Sequence, residues 1–266
     1  MSDAILRFAP IDTAAVKVLL CDADGNLFGS EEPAFVASTN VTNRLLVDLG
    51  IDRSFDPEEL RRRAVGRNFR ATALELAAEA GATLDPDELQ RRVVEEQHEV
   101  VAYLAAVLKP DRAVLEPLAQ LARRFTLAVV SSSASARLDA CFAATELDGL
   151  LAPALRFSAE DSLPVPTSKP DPAIYTFAGE RLGIRGAEGL AIEDAVVGAR
   201  SAVAAGFPTV GNLQFVAPDE RAQRAAALRE AGVAAVVTSW RDLVELLDDE
   251  HRELPSLAGL SPRVHA

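Results

Sequence analysis

The chain has 266 residues, nearly half of them apolar, which is enough to bury a sizeable core as one large domain or two smaller ones and excludes a disordered protein. Forty acidic residues against 27 basic ones give a formal charge of −13, so attraction to nucleic acid or to an anionic membrane is not expected. An anionic small molecule remains open, because a local site can oppose the global sign.

The N-terminal "MSDAILRFAP" lacks a basic start followed by a long apolar core, so no secretory signal is read there, and no run is long enough for a membrane helix. Strands are predicted at 16–21 (VKVLLC), 126–131 (TLAVVS), 189–193 (GLAIE), 207–211 (FPTVG) and 234–238 (AAVVT). Helices are predicted between them at 112–124, 134–144, 170–183 and 194–205. Apolar strands alternating with helices predict an α/β fold with a doubly wound parallel sheet, whose sites lie beyond the C-terminal strand ends. The alternation breaks at 30–111, where helical patterns end in the long run Pro86–Leu108, with Asp85 as N-cap and Pro110 as stop. This segment reads as an all-helical cap domain inserted into a discontinuous core of 1–29 and 112–250, with 251–266 as a loose tail.

Cys21 and Cys141 read as two reduced thiols of a cytoplasmic protein, and His98, His251 and His265 are too scattered for a zinc site or a triad. His98 is expected to be exposed on the long cap helix.

The informative residues stand at strand ends. The first strand runs into Asp22, Asp24 and Gly25, the second into Ser131, Ser132 and Ser133, and the third into Glu193 and Asp194, while Lys169 precedes a helix. A parallel sheet gathers all of them at one edge. Four acids so close would force some to stay protonated, and Lys169 offsets only one charge. A divalent cation with oxygen ligands, Mg²⁺, resolves the excess, and hydroxyl, lysine and metal together suit a phosphate.

In order, "DADGNLF", the serine after "LAVV", "SKPDPAIY" and "AIEDAVVGARSAVAAG" resemble the four signature motifs of the haloacid dehalogenase superfamily, from about Val16 to Leu247. Their order, spacing and helical insertion are similar to its β-phosphoglucomutase-like and small-molecule phosphatase branch. The resemblance implies Asp22 as nucleophile, Asp24 as general acid/base, and Ser131 and Lys169 as holders of the phosphoryl oxygens. It implies a metal held by the Asp22 carboxylate, the Asp24 backbone carbonyl and Asp194, with Glu193 assisting directly or through water. An aspartate at position 24 favours phosphoryl transfer, since the superfamily's dehalogenases lack an acid there and its phosphonatases use alanine. Asn26 departs from the usual threonine, leaving its backbone N–H to meet the phosphate.

Alone, "DADG" is an ordinary turn sequence. Ser133 and Ser135 read as helix caps, Ser132 as either a cap or a phosphate ligand, and Gly198 as a packing glycine. In the cap, "VGRNFRAT" offers Arg67, Asn68 and Arg70 as contacts to the non-phosphate part of a substrate, set against a solvated surface. Glu31 and Glu32 read as surface charge. The expected activity is Mg²⁺-dependent hydrolysis of a small phosphorylated metabolite such as a sugar phosphate, by a monomer or homodimer. A phosphomutase and a non-catalytic binding protein on the same fold are the two alternatives.

Overall fold

The computed structural model describes residues 5–64 and 68–248. A seven-stranded sheet is formed by β1 (Ile5–Arg7), β2 (Val18–Cys21), β3 (Thr126–Ser131), β4 (Arg156–Ser158), β5 (Gly189–Glu193), β6 (Thr209–Asn212) and β7 (Ala235–Val237), in the order β1-β7-β6-β5-β2-β3-β4. All neighbours run parallel except the edge pair β1–β7. Between β2 and β3 lie α1 (Glu31–Asp48), α2 (Pro57–Arg63), α3 (Phe69–Glu79), α4 (Pro86–Val107) and α5 (Arg112–Leu121). The remaining helices are α6 (Ser135–Thr145), α7 (Ala173–Leu182), α8 (Val196–Ala204), α9 (Arg221–Glu230) and α10 (Trp240–Asp248).

The five expected strands and four expected core helices are all present, with ends displaced by a few residues. β1 and β4 were not expected from the sequence: each is three residues long and lies at an edge, too short to carry a periodic pattern.

Period-two geometry sends Leu19 and Cys21 to one face of β2 and Val18 and Leu20 to the other, and all four are buried. On the first face they meet α5, α6 and α10, on the second α7 and Ala202 of α8. From β2 the chain moves to β3 and β4 on one side and returns to β5 on the other. The C-terminal end of β2 is thus the topological switch point, where open α/β sheets form their crevice.

Helices α1 to α4 form a layer with two small apolar clusters of their own, around Leu45, Ala73 and Leu89 and around Leu46, Phe55 and Leu60. Their starts are written locally. Asp85 accepts from the backbone N–H groups of Asp87 and Glu88, Asp56 and Glu59 form a reciprocal capping box, and Pro57 and Pro86 occupy first turns. Ala37 of α1 and Val100 and Leu104 of α4 join the main core, so the layer is seated on the sheet domain. Among the described residues, no helix is long and apolar enough to cross a membrane.

Trp240 is fully buried, and its indole N–H donates to the Asn26 carbonyl at 2.9 Å. Trp240→Phe leaves that carbonyl without its buried donor. The expected cost is about 1–3 kcal/mol in chemical denaturation; a change below about 0.5 kcal/mol, the range of ordinary surface substitutions, would show that the bond does not matter.

Candidate active site

Two strand ends deliver the acids. Asp22 follows β2 and extends its ladder by donating its N–H to the Ile192 carbonyl at 2.9 Å; Glu193 closes β5 and Asp194 follows it. Asp22, Glu193 and Asp194 are 7 %, 1 % and 3 % exposed, and one carboxylate oxygen from each lies within 4.8 Å of the others. Into this group reaches Lys169, whose ammonium donates to Asp22 Oδ1 at 2.5 Å, Glu193 Oε1 at 2.6 Å and the Val130 carbonyl at 2.8 Å. All three of its protons are used. The Tyr175 hydroxyl donates to the same Glu193 oxygen.

The electrostatics follow from burial and count. Burial is the largest influence on all three carboxyls and pushes each above its ordinary range. Lys169 opposes this for Asp22 and Glu193, while neighbouring carboxylates add to it. Burial also disfavours the Lys169 ammonium, but Asp22 and Glu193 outweigh it and hold the lysine firmly charged. Three ionised carboxylates outnumber the Lys169 ammonium and the Arg224 guanidinium, which stands 3.9 Å from Asp194, and leave surplus negative charge on side chains almost closed to solvent. A divalent cation neutralises such a surplus, and this oxygen-only donor set fits a hard one.

Two glycines make the close packing of acids possible. At Gly25, with φ +77°, a Cβ would stand 2.5 Å from Asp194 Oδ2. At Gly198 it would stand 1.8 Å from Glu193 Oε2, so this glycine makes room for a site carboxylate and is more than a helix–sheet packing residue. Arg224, on α9, donates to the Asp194 carbonyl at 3.0 Å and approaches its Oδ2 at 3.9 Å.

Asp24 has a separate environment. Ser133 donates to its Oδ2 at 2.6 Å and Arg137 to its Oδ1 at 2.6 Å, with the Ser30 hydroxyl on Oδ1 as well. Burial would raise its pKa, but Arg137 and the two hydroxyls prevail and hold the carboxyl below its ordinary range. Asp24 is thus an ionised, fully engaged carboxylate. The expectation that Ser133 caps a helix is corrected: α6 begins without a side-chain cap at Ala134, Ser133 turns to Asp24, and the Ser135 N–H donates to Asp161 at 2.6 Å. Nothing in the sequence pattern singles out Arg137. Only the fold brings it to Asp24.

The other expected site residues divide. Ser131, Ser132, Lys169 and Asn68 line the same cavity of about 730 Å³ as Asp22, Asp24, Glu193 and Asp194. Ser131 Oγ accepts from the Ser133 N–H at 3.0 Å, and Ser132 Oγ accepts from the Lys169 N–H at 3.1 Å, which ties the lysine's segment to the end of β3. Asn26 is corrected. It is fully buried, its amide donates to the carbonyls of Asp22 at 2.9 Å and Ile192 at 3.1 Å, and its Oδ1 accepts from Asn212 at 2.8 Å. Its backbone N–H is spent on the Ala23 carbonyl at 3.2 Å, so Asn26 braces the loop after Asp22 from beneath. Asn68 uses its side-chain oxygen as the α3 cap, accepting from Ala71 at 2.9 Å. Arg70 turns to Gln90 on α4 and is not in the cavity wall, and Arg67 lies outside the described residues. Glu31, read as surface charge, lines the same cavity although largely exposed, and His98, also exposed, stands in its wall.

Gly198→Ala forces the Glu193 carboxylate to move. Thermal and chemical denaturation are expected to register overpacking of about 1–3 kcal/mol. Gly149→Ala, at a position with nothing within 4 Å of an added Cβ, serves as the control. Equal effects at the two positions would refute the close approach.

The family model of the haloacid dehalogenase-like hydrolases matches residues 16–206. No curated protein matches the chain. Among solved structures, a haloacid dehalogenase family hydrolase from Deinococcus radiodurans R1 with bound phosphate and sodium is 27 % identical, with a TM-score of 0.62, covering 91 % of this chain and 97 % of that one. A mutant of CbbY from Rhodobacter sphaeroides in complex with xylulose-(1,5)bisphosphate shares the fold at 20 % identity and a TM-score of 0.65, covering 86 % and 96 %. A putative β-phosphoglucomutase from Thermotoga maritima does so at 22 % and 0.64, covering 89 % and 100 %. With the family model spanning well over half of the sequence, and the acids, lysine and serine of its motifs gathered at one sheet edge, the chain belongs to the haloacid dehalogenase-like hydrolases.

Proposed function

We propose that this enzyme hydrolyses a small phosphate monoester through a covalent intermediate on Asp22, with Mg²⁺ as the metal. The observation that carries the reading is the Lys169 ammonium shared between Asp22 and Glu193, beside Asp194, at the floor of a cavity large enough for a small substrate. Asp22 and Asp194, with the Asp24 backbone carbonyl and with Glu193 directly or through water, would hold Mg²⁺, which when bound offsets charge on the phosphoryl oxygens.

In the first half-reaction an Asp22 carboxylate oxygen forms a bond to phosphorus in line with the ester oxygen. The P–O ester bond breaks, and Asp24 gives its proton to the departing alkoxide. Lys169 keeps one Asp22 oxygen fixed, which leaves the other oriented for attack. Ser131 donates its hydroxyl to the phosphoryl group through the transfer, and the Lys169 charge offsets the phosphoryl charge, turning a proton to it only by releasing one of its present acceptors. In the second half, water attacks phosphorus, Asp24 takes a proton from it, and the P–O bond to Asp22 breaks, releasing inorganic phosphate and restoring the carboxylate. The hold of Ser30, Ser133 and Arg137 on Asp24 favours its ionised form, so to serve as an acid in the first half it must keep the proton taken from water in the preceding cycle, or take one from solvent, with one of these partners letting go. On this reading the insertion at 30–111 is a cap that excludes bulk water over a core of 1–29 and 112–250.

The test is phosphate release from p-nitrophenyl phosphate and a panel of phosphorylated metabolites, with Mg²⁺ and with EDTA. Release is expected to stop in EDTA and to fall by a factor on the order of 10³ or more in Asp22→Asn. Release indifferent to both would contradict the proposal. An isomerised sugar phosphate without net phosphate release would mark a phosphomutase instead.

A further inference from the structure

The cavity above the acids has two unlike walls. The sheet edge supplies the charged and hydroxyl groups already described. The opposite wall comes from the helical insertion and includes Phe35 of α1, Leu60 of α2, Phe69 of α3, and Val100 and Val101 of α4. Phe35 and Val101 are half-buried, and neither belongs to any of the apolar clusters formed by the described residues. They present apolar surface to the cavity.

Several polar side chains of the described insertion residues on this wall are already bonded. Thr42 Oγ1 donates to the Ser38 carbonyl at 2.8 Å, and Thr72 Oγ1 to the Asn68 carbonyl at 3.1 Å. Asn68 caps α3, and Ser38 pairs with Glu96. From the core side, Arg137 is committed to Asp24. Glu31, Gln97 and His98 also line the cavity and are exposed to solvent, so they stay hydrated without a substrate. A polyhydroxylated leaving group held against Phe35 and Val101 would give up water for few partners among the described residues, and each unmatched hydroxyl weakens binding. An apolar one would gain by leaving water.

Taking the hydrolase reading above as given, we infer that the leaving group is apolar, an aromatic or branched alkyl alcohol in place of a sugar, and that Phe35 and Val101 hold it. Specificity then arises from two ends of one cavity: charge reads the phosphate at the sheet edge, and helix side chains read the carbon skeleton.

Two measurements test this. Benzyl phosphate and a hexose 6-phosphate are both esters of primary alcohols, so their comparison reports binding more than leaving-group reactivity. In calorimetry with Mg²⁺ present, benzylphosphonate and methylphosphonate report binding without turnover. The KM for benzyl phosphate is expected at least about tenfold below that for the hexose ester, and benzylphosphonate is expected to bind at least about tenfold tighter than methylphosphonate. Phe35→Ser should collapse both ratios and Phe35→Leu should keep most of each. Val101→Ser takes the place of Phe35→Ser if the latter does not fold. A hexose ester with an equal or lower KM, or ratios that survive Phe35→Ser in a folded protein, would overturn the inference. Phosphate release without apolar preference removes this inference and leaves the hydrolase. Preferred binding of benzylphosphonate without release from any ester removes the hydrolase and leaves the apolar site.

Discussion

One constraint governs the molecule: two buried carboxylates, Asp22 and Glu193, share a single buried ammonium, with a third carboxylate, Asp194, beside them. Lys169 spends all its protons on Asp22, Glu193 and the end of β3, and Tyr175 adds a further hydroxyl to Glu193. Breaking any one partner would leave a buried charge uncompensated, which is costly in an interior. The surrounding sequence is arranged to permit that density. Gly25 and Gly198 leave room for the Asp194 and Glu193 side chains, and Asn26 and Asn212 anchor the loop after Asp22 from the side away from the cavity.

The parallel sheet explains how distant parts of the chain meet. Asp22, Glu193 and the serines after β3 all leave neighbouring parallel strands at the same edge, with β2 in the middle. The insertion leaves from that edge too. Its α1 begins directly after the loop that follows Asp22, and its α4 packs alongside α1 and reaches α6 of the core. That the helical layer lines the same cavity as the acids is therefore a consequence of where the chain departs from the sheet. The ion pairs across α1 and α4, such as Arg44 with Glu95, are exposed and contribute little beside the apolar packing beneath them.

Much of this was legible in the sequence because it is written locally. Apolar runs ending in Asp22, Ser131 and Glu193 announce strands that deliver chemistry, and Asp85 with Pro86 announces a helix start. What the sequence concealed depends on neighbours far along the chain. Asn26 looks like a loop residue beside a phosphate until Trp240 and Asn212 are seen to consume its groups. Ser133 has the composition of a cap but the surroundings of an Asp24 ligand, and Gly198 is spacious only in relation to Glu193. Arg137 had no signal, since an arginine on an amphipathic helix is ordinary until its partner is known. The edge strands β1 and β4 are too short to show a period.

Asp24 and Asp22 are two residues apart yet sit in opposite electrostatic settings: burial among other carboxylates raises one, and Arg137 with two hydroxyls lowers the other. That separation suits two carboxylates with different tasks. It also places the charge surplus on the Asp22, Glu193 and Asp194 side, where a cation would be held. Calorimetric titration of the metal-free protein with Mg²⁺ tests this most directly, with Asp194→Asn beside the wild type. One ion per chain is expected, bound at least about tenfold more weakly by the variant, as for loss of a carboxylate ligand. No uptake by the wild type at millimolar Mg²⁺, or equal affinity in the two proteins, would contradict it.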